Sequence, residues 1–215
     1  MTLVDPSVEE IKIKTGKSLL WLGIISIVML FAGLTSAYIV RQGEGKWVEF
    51  AIPAMFKIST VLIVLSSFSM QWALGSIKKG NEQSLRIGLL ITLLLGVGFV
   101  ITQYLAWSEL YRNGIAFTGR ITDIKTNFTY VPTGKETLAE ANNVGNVAGS
   151  FLYVITGLHV IHLLAGMLAL IVVFSRALGH KYTVKNYNGV NMCAIYWHFL
   201  DGLWVYLFFF LLYIR

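Results

Sequence analysis

Four ionisable side chains stand inside stretches that are otherwise almost wholly apolar. They are His159 and His162 in "TGLHVIHLLAG" (156–166), and His198 and Asp201 in "YWHFLDGLW" (196–204). Glu109 joins them at the end of another apolar run. Ionisable groups at membrane depth are expensive and seldom face lipid, so each needs a use. Imidazoles can ligate metal, and histidines on two opposing helices can sandwich a haem iron. His159 or His162 opposite His198 would make one such bis-His site. Zinc or copper asks for more converging ligands than three histidines and one aspartate supply. The other use is structural. A spacing of three residues puts His159 with His162, and His198 with Asp201, on single helix faces. If those faces meet, a His–carboxylate contact satisfies both groups. Gln103, Thr92, Thr156 and the cluster Ser66, Ser67, Ser69 offer neutral partners. Trp197 resembles part of an interfacial aromatic belt, but Asp201, Trp204 and Tyr206 continue deeper, as a helix interface or a buried polar network does. With no catalytic constellation beside them, these residues read as hydrogen-bonded bundle residues and not as catalysts.

The elements that must hold them follow from composition. Of 215 residues, 56% are hydrophobic and 13% charged, more apolar surface than a soluble domain of this length can bury. Five runs are long enough to cross a bilayer, near 18–40, 54–77, 87–110, 151–174 and 192–214, each close to the ~20 residues a helix needs. They are apolar all round, hence bilayer spans and not surface helices, and backbone in lipid must satisfy itself within the segment, which makes each one a helix. The fold class is therefore all-α: a polytopic membrane protein with a bundle of five transmembrane helices. Residues 1–17 form a cytoplasmic N-terminal segment without a signal-peptide pattern, and 18–215 the transmembrane domain. Within it, 111–149 is a polar extramembrane loop with room for a short hairpin. Basic residues in the short connections favour a cytoplasmic N-terminus. The excess of 17 Lys and Arg over 11 Asp and Glu reflects this topology and not a nucleic-acid partner. A single cysteine, Cys193, excludes an intrachain disulfide and a CxxC metal site. Gly96, Gly98, Gly157 and Gly166 allow close helix approach.

These segments resemble subunit III of the haem-copper oxidases, above all cytochrome c oxidase subunit III. "YWHFLDGLW" follows that family's last-helix signature YWHFVDxxW, "TGLHVIHLLAG" its TGxHGxHxxxG, and "ITLLLGVGFVITQ" (91–103) its ITxxLGxxFxxxQ. The resemblance runs from Ser18 onward and is to the short bacterial form that lacks the first two of seven helices. It implies an accessory, non-redox subunit in the bacterial plasma membrane, packed on subunit I with subunit II and further subunits nearby, and open to supercomplex membership. Haem and copper belong to the partners, phospholipid binds between helices, and the subunit stabilises subunit I and sustains proton uptake during O2 reduction. His159, His162, Trp197, His198, Asp201, Trp204 and Gln103 become docking or buried-network residues. The pattern departs at three places: Ile27 stands where the family has a glutamate, Ala106 stands where QxxEY has one, with Glu109 as a possible substitute, and Tyr187 and Asn191 replace the His and Glu of HxGxE. A quinol oxidase subunit III, a small bis-His haem electron carrier, and a transporter or lipid-binding protein without redox partners are the competing functions.

Overall fold

A computed structural model describes residues 6–43, 47–113, 115, 117, 128–130, 147–184 and 186–214. Among these residues the chain forms five long helices: α1 (Pro6–Gly43), α2 (Ala54–Lys78), α3 (Glu82–Arg112), α4 (Val147–Leu178) and α5 (Asn188–Tyr213). All five are long and apolar enough to cross a membrane. α1, α3 and α4 run several residues past their apolar runs at both ends, because capping chemistry and not hydropathy ends a helix. The α2–α3 turn shows this. Gly80 adopts φ +77°, and the amides of Gly80 and Asn81 return to the carbonyls of Ile77 and Ser76, the two-bond closure that a left-handed residue permits. The Asn81 side chain then accepts from Ser84 N at 3.0 Å and opens α3.

The end of α4 closes in the same way, with a histidine in the left-handed seat. His180 has φ 54°, and His180 N and Lys181 N bond to Ala177 O and Arg176 O. A non-glycine residue there carries a conformational cost, which a clasp to the neighbouring turn offsets. His180 Nδ1 donates to Glu82 Oε2 at 2.6 Å. Arg86 donates from Nη2 to His180 Nε2 at 2.9 Å and from Nε to Ala177 O at 3.1 Å, one of the helix's last carbonyls.

Helices α2, α3, α4 and α5 pack in that cyclic order, and α1 lies outside the ring against α4 and α5. The α2–α3 pair is the tightest: a Cβ built on Gly88 would lie 2.7 Å from Ala73 Cβ and 3.1 Å from its Cα. Helix α1 buries Phe31, Thr35 and Tyr38. Tyr38 meets Trp47, Phe151 and Phe210 edge-on, and Thr35 Oγ1 accepts from Tyr206 at 3.3 Å. Most of the remaining α1 surface, including Ala32, Gly33, Ser36 and Ala37, is exposed.

A two-stranded antiparallel ribbon caps the α1–α2 connection, with Val48 opposite Tyr130 and Phe50 opposite Phe128. The strand from the long polar loop thus pairs with a segment some eighty residues earlier. A hairpin internal to 111–149 is not how these described residues are used. A three-residue strand has little pairing of its own and takes the edge that is within reach.

Candidate functional site, the seam between the second and fifth helices

Trp197 and Trp204 are separated by seven residues, two helical turns, so they lie on one face of α5. On α2, the hydroxyl pairs Ser59–Thr60 and Ser66–Ser67 repeat at the same interval. The two faces meet through acceptors six residues apart on α2. Trp197 Nε1 donates to Ser66 Oγ at 3.0 Å, and Trp204 Nε1 donates to Thr60 Oγ1 at 3.0 Å. An indole N–H can only donate, and a hydroxyl can accept it while giving its own proton away. Ser66 gives its proton to Ile63 O at 2.7 Å, and Thr60 gives its proton to Phe56 O at 2.7 Å. Each contact is therefore closed on both sides, as a dry interior requires.

Both indoles are fully buried and reach the bundle axis. Trp204 stacks with Phe56 of α2 at 5.9 Å, meets Phe99 of α3 edge-on at 4.9 Å and lies 5.0 Å from the His159 ring of α4. One side chain thereby touches every helix of the ring. Trp197 crosses toward α3, where a Cβ on Gly96 would come within 3.0 Å of its Cη2. Gly166 serves Leu200 and Tyr196 in the same manner, with contacts at 3.1 and 3.3 Å. Gly157 has nothing within 4 Å and Gly98 has only ordinary contact with Leu62. Close approach thus explains two of the four glycines singled out from the sequence.

The histidine and carboxylate faces do not meet as the spacing suggested. His198 turns to α2, with Nδ1 at 2.6 Å from Ser67 Oγ and Nε2 at 3.2 Å from Gln71 Oε1. Asp201 also points to the α2 side, beside Ser66 and Ser67. His159 is fully buried in an aromatic cage of Phe99 and Trp204. His162 is half-buried, edge-on to Phe31 of α1 at 5.8 Å, and its Nδ1 donates to Leu158 O at 2.7 Å. The reason is the α5 heptad: with Trp197 and Trp204 facing the axis, residues 198 and 201 rotate toward α2 and away from α4. His159 and His198 therefore look at different helices, which does not suit one haem iron held between them.

Gln103 is buried and donates from Nε2 to Ser59 Oγ at 2.9 Å. Its Oε1 and both ring nitrogens of His159 have no hydrogen-bond partner among the described residues, while the Asp201 carboxyl is buried against the Ser66 and Ser67 hydroxyls. Ala106 is fully buried and Glu109 exposed, so Glu109 does not fill the place of the carboxylate replaced at 106. Ile27 is half-buried and packs on the core. Further ties couple the ring: Ser69 to Thr92 at 2.6 Å, and Trp107 Nε1 to Thr156 Oγ1 at 3.1 Å. Ser59, Thr60 and Gln71 were missed in the sequence. The recurrence of hydroxyl pairs at 59–60 and 66–67 on α2 is the signal that could have found the first two.

A family model described as cytochrome c oxidase subunit III matches residues 113–215. A Mycobacterium leprae protein described as a probable cytochrome c oxidase subunit 3 is 29% identical over 202 residues, 92% of this chain and 86% of that one. The cytochrome c oxidase subunit 3 of Thermostichus vulcanus is 30% identical over 194 residues, 86% of this chain and 80% of that one. The cytochrome c oxidase subunit 3 of Equus caballus is 32% identical over 151 residues, which are 70% of this chain but only 47% of the horse protein.

Proposed function

This chain belongs to the cytochrome c oxidase subunit III family, and on that premise we propose that it serves as the non-redox subunit III of a terminal haem-copper oxidase. In this reading it packs on subunit I, whose haems and copper reduce O2 to water, and subunit II lies in the same complex. It stabilises subunit I and sustains proton uptake through many turnovers. The carrying observation is the use made of the last-helix signature: Trp197 and Trp204 tie α5 to α2 and fill the centre of the ring. Residues placed this way make a rigid scaffold and leave no reacting atom exposed to a substrate. The uncovered outer face of α1 suits phospholipid tails or a neighbouring helix. Bacterial relatives favour the plasma membrane of a bacterium, with the N-terminus in the cytoplasm.

The test is affinity purification of the tagged chain from membranes of its own host. A large haem-bearing subunit should co-purify, the preparation should oxidise reduced cytochrome c, and the Soret band should leave with that subunit when the complex is dissociated. A Soret band that stays with the isolated chain would overturn the proposal in favour of the electron-carrier reading. Oxidation of quinol and not of cytochrome c would move the chain to a quinol oxidase.

A further inference from the structure

Asp201 is only 4% exposed, and its carboxyl lies against the Ser66 and Ser67 hydroxyls of α2. Counting protons decides what passes between them. A hydroxyl has one proton to give and two lone pairs with which to receive. Ser66 gives its proton to Ile63 O at 2.7 Å and receives the Trp197 indole at 3.0 Å. Toward Asp201 it can only accept. Ser67 is fixed by its other neighbour, His198. Nε2 of that ring lies 3.2 Å from the carbonyl oxygen of Gln71, an atom that only accepts, so Nε2 carries the ring proton. The other nitrogen of a neutral imidazole is then an acceptor, and Ser67 donates to Nδ1 across 2.6 Å. Neither serine keeps a proton for a carboxylate. An ionised Asp201 is left buried without a donor, a costly arrangement, whereas a protonated Asp201 donates to Ser67 and completes the chain.

The chain has a direction. Asp201 lies roughly 20 Å along α5 from Asn188, and Gln71 roughly 10 Å along α2 from Lys78, at 1.5 Å per residue. Both of those helix ends lie on the side where α1 begins, since the spans alternate. Each step from Asp201 through Ser67 and His198 to Gln71 therefore runs toward that side. The carboxyl oxygens themselves are closed to the surface. His198 and Gln71 line a groove of about 360 Å³ that opens between α2 and α5, and Gln71 is exposed there. No charged side chain among the described residues acts on Asp201 or His198. The histidines of α4 face other partners, His159 in the cage of Phe99 and Trp204 and His162 against Phe31 of α1. The Asp201 proton thus has one hydrogen-bonded route outward, through Ser67.

We infer that Asp201 is kept as the carboxylic acid and that Ser67 and His198 relay its proton to and from the α2–α5 groove. On unloading, the Asp201 O–H proton passes to Ser67 Oγ while the Ser67 proton passes to His198 Nδ1. The imidazolium so formed releases its Nε2 proton to water at the groove beside Gln71. One proton leaves, His198 ends neutral with its proton on Nδ1, and the new Asp201 carboxylate accepts from Ser67. Reloading reverses each transfer. The relay rests on the hydrogen-bond geometry; its use as a proton reserve on the cytoplasmic side of an oxidase rests on the subunit III reading.

The experiment purifies the full chain from host membranes with its partners retained and records infrared difference spectra, wild type minus Asp201→Asn. A protonated-carboxyl C=O stretching band that shifts in D2O is expected at neutral pH, and the 15N resonances of His198 should report neutral imidazole protonated at Nε2. After a jump to alkaline pH the band should decay. Ser67→Ala and His198→Phe should each slow that decay by about 100-fold, as loss of a positioned proton-transfer group does. Ser67→Thr, which keeps the hydroxyl, should restore the rate. Where Ser67→Ala does not fold, His198→Phe decides. Absence of the carboxyl band at neutral pH would overturn the inference. So would His198 found as imidazolium or as the Nδ1–H tautomer at neutral pH, or decay in both relay variants as fast as in the wild type. A preparation that shows the band and the slowed variants but lacks a haem-bearing subunit would sink the subunit reading and leave the relay standing. A haem-bearing complex without the band would do the reverse.

Discussion

Replacing Trp204 by alanine tests the centre of the bundle most directly. The side chain is fully buried and meets three rings, at 4.9, 5.0 and 5.9 Å, each such pair worth about 0.5–1.5 kcal/mol. Its indole hydrogen bond to Thr60 adds about 0.6 kcal/mol on average in a membrane and at most about 1.7. Trp→Ala in water-soluble cores costs about 3–5 kcal/mol, but part of that is transfer from water, which falls away when the unfolded side chain stays in lipid. The expected loss for Trp204→Ala is therefore on the order of 3 kcal/mol. Trp204→Phe keeps a ring and should lose about 1–2 kcal/mol, mostly the bond and the second ring. Cys193 supplies the assay. It is the single cysteine in the sequence and is buried, so a thiol-reactive dye reports its exposure as the detergent-solubilised chain is heated. Trp204→Ala should lower the midpoint by on the order of 10 °C. Thr60→Val should also destabilise, and the Thr60→Val/Trp204→Phe double variant should be no worse than the sum of the singles less a coupling of about 1 kcal/mol. A shift of under about 1 °C for Trp204→Ala, with Cys193 still protected at ordinary temperature, would refute the placement of this ring at the axis.

The other expectations concern packing, the polar seam and the loop clasp. Gly88→Ala drives a methyl into Ala73 backbone that has no room to yield, and it should cost about 1–3 kcal/mol in the same thermal assay. Gly157→Ala meets nothing within 4 Å and should be neutral or stabilising by up to about 1 kcal/mol. Ser66→Ala leaves the Trp197 indole N–H buried without its acceptor. It should cost about 1–3 kcal/mol and shift the Trp197 indole proton resonance, while Ser108→Ala, an exposed hydroxyl bonded to its own helix, moves neither. Arg86→Ala removes both the α4 carbonyl contact and the cation beside His180. At a partly exposed site it should cost no more than about 1 kcal/mol, yet speed amide exchange at His180 and Lys181, whose amides close that turn.

The sequence by itself determined the five helices, because hydropathy over twenty residues and the closure of backbone hydrogen bonds in lipid are local requirements. It also singled out Trp197, His198, Asp201 and Trp204, since an ionisable or hydrogen-bonding group in an apolar span is visible wherever it points. Tertiary structure decided what each one faces. A spacing of three residues says that His198 and Asp201 share a face, but the rotation of α5 about its axis selects the neighbour. That rotation is set by Trp197 and Trp204, the bulkiest residues on the helix, which take the axis and turn the aspartate toward α2. The same logic separates Gly96 and Gly166, each filled by an aromatic ring from α5, from Gly157, which is as small and faces open space. It likewise leaves Glu109 outside while Ala106 is buried, since three residues advance a helix by about 300° and a carboxylate moved by that step looks elsewhere. Local periodicity fixes which residues travel together on a helix. Only the packing of whole helices, through shape and hydrogen bonds between residues far apart in sequence, fixes where they go.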